Sequence, residues 1–388
     1  MSKRSLFYLL IILAPIFFFS GLQKYQEEAL AINISVPVRV FDGQNFIENL
    51  TKEDFLVYED GVPQPITAVY LIKKTRIIHQ EAEKPRQAET SLPSPNLARR
   101  IVLVFEINEF LPKCEEAVDF LIKEALQPQD KLTVITPVRA YNLKGEALQR
   151  LSREAIARQL KEKIRQDIWR VNVELRNLIS DYKTLMNSQW RAGISGQDIL
   201  YKIKNLKFLD EKQLIKFAEV LKNFDGQKHL FLFYQEEELL MKKIFDDTGQ
   251  SEFQKMQFIK DIRFDVQKIK RLFADYGVHF NFLFITKVKW SNQLMDVTEF
   301  APQQYENFKI TGEFFSVFYN LAKATGGVTL SSQNPEAAFK KAVEVAENYY
   351  LLYYRPLNYQ ADGKFRQIKV VVRNRNYKVI HRLGYVAD

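Results

Sequence analysis

Apolar and polar positions divide this chain into three stretches with different periods. From Ile32 to Phe41 they alternate, and the alternation returns at Phe55–Tyr58 and Ile66–Ile72. Asp60-Gly61 between these two runs reads as a tight turn, so a strand and then a hairpin are expected. Gln80 to Asn96 carries Pro85, Pro93 and Pro95 among Glu, Gln and Ser without periodicity, which marks a linker. From Arg100 the period changes. Short continuous apolar runs at Ile101–Phe105, Leu132–Pro137, Leu230–Tyr234, Val278–Ile285 and Val328–Leu330 predict strands buried on both faces. Helical stripes follow them at Pro112–Leu126, Arg153–Met186, Glu211–Phe224, Glu252–Tyr276, Glu313–Ala324 and Pro335–Glu347. In the longest, Ile156, Leu160, Ile164, Ile168, Val171 and Leu175 make one face. Alternation resumes at Tyr349–Tyr354, Phe365–Val372 and Tyr377–Arg382, with turns at Asp362-Gly363 and at Asn374–Asn376.

Strands alternating with helices predict an α/β fold, a doubly wound, mostly parallel sheet flanked by helices. The strands at each end of the chain are too few to close a core alone. They are expected to pair into a smaller β-sandwich-like domain built from the N- and C-terminal strands, with the α/β domain inserted between them. The alternative is that each set packs separately on the α/β domain. The boundaries read 32–75 for the N-terminal β segment, 76–98 for the linker, 99–347 for the α/β domain and 348–388 for the C-terminal β segment.

Residues 1–21 read as targeting information. Lys3 and Arg4 precede an apolar run from Leu6 to Phe19, the order of a secretory signal. The run is shorter than the roughly 20 residues of a comfortable membrane span. Export across a bacterial inner membrane is expected, to a periplasmic or secreted location. Cleavage and a retained N-terminal anchor both stay open.

Composition alters this picture little. A chain of 388 residues with 46% hydrophobic content can bury a sizeable core, made aromatic by 30 Phe and 18 Tyr. The net charge of +9 admits an anionic partner. Basic residues alternate with acidic ones, however, as in Lys161-Glu162-Lys163, and form no dense tract, so nucleic acid is not expected. Cys114 is the only cysteine, which excludes an intrachain disulfide, and it reads as a small buried hydrophobe.

Several segments, in order, resemble one family. Asn49–Ile66 (N-L-T-K-E-D-F-L-V-Y-E-D-G-V-P-Q-P-I) is the most specific match. Asp225–Tyr234, Leu321–Gly327, Tyr349–Pro356 and Arg382–Ala387 complete the set. Together they resemble the bacterial VWFA-related (von Willebrand factor type A-like) proteins over nearly the whole chain after residue 31. The resemblance implies a VWA/Rossmann-like domain over 99–347 and a metal-ion-dependent adhesion site of the form Asp-x-Ser-x-Ser after the first strand. Here those positions are Glu106, Asn108 and Phe110, and phenylalanine cannot coordinate an ion. The family's Thr loop is echoed weakly at Gly193–Gly196, where Ser195 can substitute, and its Ser-Asp-Gly after the fourth strand reads Tyr234-Gln235-Glu236. The implied site is degenerate: Glu106, Asn108, Ser195 and Glu236. No cofactor is expected; the alternative is Mg²⁺ or Ca²⁺ held by these four.

Enzyme chemistry finds no support in the motifs. His79, His229, His279 and His381 lack ligand spacing, and no G-x-S-x-G, phosphate loop or dinucleotide fingerprint occurs. Glu53, Asp54, Glu59 and Asp60 around the Asp60-Gly61 turn read as turn residues rather than calcium ligands. The expectation is therefore a non-enzymatic, exported, metal-independent protein-interaction module that binds an unidentified protein, with envelope association. Its contacts would come from the loops after Phe105, Pro137, Tyr234 and Ile285. A metal-dependent adhesion domain with a modified site and a structural component of an envelope assembly stand as alternatives.

Overall fold

The structure, a computed structural model, describes residues 32–82, 95–143, 145–187, 196–207, 209–235, 244, 265–286 and 311–388. Its strands are β1 (Ile34–Asp42), β2 (Asn45–Phe46), β3 (Phe55–Glu59), β4 (Val62–Gln64), β5 (Ile66–Lys73), β6 (Arg76–Ala82), β7 (Arg99–Glu106), β8 (Lys131–Ile135), β9 (Ala140–Leu143), β10 (Gln227–Gln235), β11 (Val278–Ile285), β12 (Thr329–Ser332), β13 (Asn348–Tyr354), β14 (Phe365–Val372), β15 (Lys378–His381) and β16 (Gly384–Val386). Its helices are α1 (Pro112–Phe120), α2 (Gly145–Arg150), α3 (Arg153–Asn187), α4 (Gly196–Lys207), α5 (Glu211–Lys222), α6 (Val266–Asp275), α7 (Thr311–Ala324) and α8 (Pro335–Glu347).

Three sheets organise these elements. One runs β15-β1-β13-β5-β6 with β2 beside β1, a second runs β16-β14-β3-β4, and a third runs β12-β11-β10-β7-β8-β9. This corrects the expected fold class, a doubly wound, mostly parallel sheet with a smaller β-sandwich-like domain. Ten of the sixteen strands lie in the first two sheets, whose pairs are antiparallel throughout. The third sheet is itself mixed, because β9 returns antiparallel to β8. Periodicity reported the five parallel strands of the third sheet and missed β9. It undercounted the terminal ones, because β2, β4 and β6 are short or largely exposed edge strands with little apolar patterning.

Those partners are visible in the registers. Val36 lies opposite Leu352, Leu71 opposite Tyr350, and Val57 opposite Val370, so early strands pair with late ones in both antiparallel sheets. The Asp60-Gly61 turn joins β3 to β4, while β5 leaves for the other sheet; the expected pairing of 55–58 with 66–72 is corrected accordingly. Glu59, on β3, is buried and accepts hydrogen bonds from Tyr354 Oη at 2.6 Å and Tyr385 Oη at 3.0 Å, tying one sheet to the other. The stretch read as a linker from residue 76 begins instead with β6, an edge strand whose Ile77 and Ile78 are exposed. Residues 83–94 of that stretch, the segment read as a signal or anchor, and residues 287–310 lie outside the described residues. Among the described residues no helix is long and apolar enough to cross a membrane.

The third sheet is apolar on both faces. Ile101, Leu103 and Phe105 pack with α1, α8 and the first half of α3, through Ile156, Ile164 and Ile168. Val102 and Val104 pack on the opposite side with α4 to α7 and the second half of α3, through Leu175, Ile179 and Tyr182. One helix therefore serves both cores, and its middle has to pass the end of the sheet. Cys114 is fully buried in the first core, where burial pushes its thiol up to about 12. The antiparallel sheets join this sheet along a seam. There Thr325 bridges Arg382, Leu383 N donates to Ala324 O at 2.7 Å, and the buried Arg39 donates to Val345 O and Gly326 O, each at 2.8 Å. Gly327 passes directly under Phe280 in this seam, and a Cβ there would overlap the Phe280 carbonyl oxygen, so no other residue fits.

Candidate functional site

Loops at the carboxyl ends of parallel strands are the usual ligand sites of such sheets. In this protein the part of that rim at the ends of β7 and β8 is crossed by the chain's own helix α3. β7 ends at Glu106, which is only 8% exposed, and the chain turns at 107–111 before Pro112 starts α1 at its favoured first position. The turn is held from two sides. Gln235 Oε1, at the end of β10, accepts from Asn108 N at 2.8 Å and from Glu109 N at 3.0 Å. Asn172 Nδ2, in the middle of α3, donates to Asn108 O at 2.5 Å. Phe110 folds inward, its ring edge-on to Phe105 with centroids 5.8 Å apart.

A second knot lies one strand over. Asp167 of α3, 2% exposed, accepts from Thr136 Oγ1 at 2.8 Å and Tyr141 Oη at 2.6 Å, and pairs with Arg139 at 3.1 Å. Burial, and then the adjacent Asp167 carboxylate, push the Tyr141 phenol up to about 12. Asp167 and Asn172 thus pin the middle of α3 across the ends of β7 and β8. Outward from this crossing stands Trp169, 67% exposed.

Of the four residues of the implied metal site, Glu106 and Asn108 sit at the end of β7 and in the turn that follows. Ser195 and Glu236 lie outside the described residues. The donor set of the turn does not fit a hard cation. Such an ion needs several oxygen ligands from open loops, whereas here one position is a half-buried phenylalanine packed against the core and the Asn108 backbone is bonded on both sides. Among the described residues no group of three or more His, Cys, Asp or Glu side chains stands where it can share a metal ion.

Asp167 and Asn172 escape a reading by motif. Their signal was in the periodicity of α3: Asp167 lies three residues after Ile164 and four before Val171, a carboxylate on the apolar stripe, where a buried partner is required. The chain matches no family model and no curated protein.

Proposed function

We propose that this protein is a non-enzymatic, exported protein-interaction module whose contacts form without a bridging metal ion. The observation that carries the reading is the state of the first rim turn. Its backbone donors are taken by Gln235, its Asn108 carbonyl by Asn172, and its third motif position by a ring turned into the core. A turn in that state offers a partner shape and side chains rather than an ion. Likeness of Asn49–Ile66 to the VWFA-related proteins supports the choice of this rim, and the charge-then-apolar order of residues 3–19 supports export.

The partner surface is the outer side of the α3 crossing and the adjoining turn, with Trp169 and Glu109 exposed on it. An exposed indole beside pinned backbone is the kind of side chain that anchors many protein interfaces. Photo-crosslinking from p-benzoylphenylalanine placed at 169, at 109, or at Leu357 in a distant exposed loop tests this in cells making the full chain. The expected result is one adduct of the same mass from 169 and 109, absent from 357 and unchanged by chelator. Adducts lost on chelation, or equal from 357, would overturn it.

A further inference from the structure

We infer that the outer face of the pair β3 and β14 is a second interaction surface, one that takes an extended acidic segment of a partner polypeptide. Burial alternates along both strands. In β3, Phe55, Val57 and Glu59 are buried while Leu56 and Tyr58 between them are not; in β14, Ile368, Val370 and Val372 are buried while Lys369 and Val371 are not. The register sets Tyr58 opposite Lys369 and Leu56 opposite Val371, so these four side chains are neighbours on one face. Arg373 N donates to Asp54 O at 3.0 Å, which carries the pairing one residue further and leaves Arg373 on that face too. Leu56 is 44% exposed. A groove of about 660 Å³ lies over these residues, and the turn into β15 adds Arg375 and Tyr377 to its wall.

Charge decides what fits this face. Among the described residues no Asp or Glu lines the groove, and none pairs with Lys369, Arg373 or Arg375. The nearest carboxylates by register are already bonded. Asp54 Oδ2 accepts from Thr51 N at 2.8 Å and from Thr51 Oγ1 at 2.9 Å, and Asp60 Oδ1 accepts from Gln367 N at 2.8 Å. Along β14 the face therefore reads basic, apolar, basic at every second residue, with Lys369 and Arg373 about 13 Å apart at the rise of a strand. An extended segment repeats its side chains at the same interval. One that reads acidic, apolar, acidic at every second residue sets a carboxylate at each cation and an apolar side chain over Leu56 and Val371. Each ion pair forms separately, so the cations need not converge on one point, and a compact anion would meet only one of them.

Fluorescence anisotropy of a dye-tagged peptide, Thr-Glu-Thr-Leu-Thr-Glu-Thr, titrated with the full chain at low salt tests the assignment. One-to-one binding is expected, weakening as salt is added. The reordered peptide Thr-Thr-Glu-Glu-Leu-Thr-Thr has the same charge at the wrong interval and should bind less tightly. In the Lys369→Gln/Arg373→Gln double variant, whose altered side chains are exposed, affinity should fall about tenfold while the melting temperature stays unchanged. The reversed variant Lys369→Glu/Arg373→Glu should take the peptide with Lys in place of Glu and reject the original. No peptide binding, equal affinity in the Gln double variant, or equal affinity for the reordered peptide would overturn the inference. So would binding to phosphatidylglycerol vesicles, lost in the double variant, by a chain that does not bind the peptide, which would assign the face to lipid headgroups. None of these results bears on the α3 rim.

Discussion

Replacing Arg99 with methionine is expected to cost roughly 3–5 kcal/mol of stability, the usual consequence of stranding buried carboxylates. Arg99 opens β7 and is 5% exposed. Its guanidinium donates to Asp130 Oδ1 at 3.1 Å and Oδ2 at 2.5 Å, to Glu347 Oε1 at 2.6 Å and to Ala125 O at 2.8 Å. One side chain thus joins the first strand of the mixed sheet to the loop before β8 and to the end of α8, just before the chain enters β13. Methionine retains the apolar stem and removes every donor, leaving Asp130 buried without its cation. Lysine cannot reproduce the fork, so Arg99→Lys should recover only part of the loss. Urea unfolding of the three proteins measures this, and a loss below about 1 kcal/mol for Arg99→Met would show that the pair contributes no more than an exposed one.

Acid is expected to destabilise the fold earlier than its carboxylates alone would. His229 and His279 are neighbours on β10 and β11, both 2% exposed, with rings stacked at 5.2 Å. His279 Nδ1 faces the Thr325 carbonyl at 2.9 Å, whereas His229 Nδ1 has no hydrogen-bond partner among the described residues. Burial, and after it the neighbouring imidazole and Arg39, hold the His229 pKa well below its ordinary value; burial and then Arg39 do the same for His279. With the folded values depressed, the unfolded chain binds more protons below about pH 6.5, so stability rises with pH and is lost as pH falls through that point. Each histidine contributes a slope of up to about 1.4 kcal/mol per pH unit, so the pair supplies a little under 3. The paired carboxylates act in a lower window: Glu336, beside Lys340, Glu116 and Lys113, is held at about 2, and its contribution fades only below its ordinary value near 4.5. Urea unfolding at pH 7.5, 6.5 and 5.5 should show the decline, and His229→Leu should remove between about a third and a half of it, because burial lowers the His381 pKa as well. Stability that stays level to pH 5.5 would contradict the buried, neutral pair.

Much of the secondary structure was legible because its periodicity is local. The apolar stripe of α3 and the span Pro335–Glu347 match the helices observed, and the continuous Ile101–Phe105 run is buried on both faces as expected. The architecture was less legible, because it rests on pairings that no local window contains. Arg76–Ala82 shows little apolar patterning, since an edge strand exposed over most of its length needs none. Val62–Gln64 is too short to announce itself, so β5 was assigned to the wrong partner. The rim was half legible. Glu106, Asn108 and Phe110 fall at the end of β7 and in the turn after it, as their spacing after the first central strand implied, but periodicity gives the apolar face of α3 without saying that its two halves serve opposite sides of a sheet. That crossing, fixed by Asp167 and Asn172, lays a helix over the ends of β7 and β8, where open loops were expected.

The central claim is that this rim engages partners through protein surface and not through an ion. The most direct measurement is the melting temperature of the full chain in chelator-treated buffer, alone and with millimolar Mg²⁺, Mn²⁺ or Ca²⁺, repeated for Glu106→Ala. A ligand that binds the native state raises that temperature in proportion to its occupancy. No rise that depends on Glu106 is expected. A rise with any of the three ions that disappears in Glu106→Ala would contradict it.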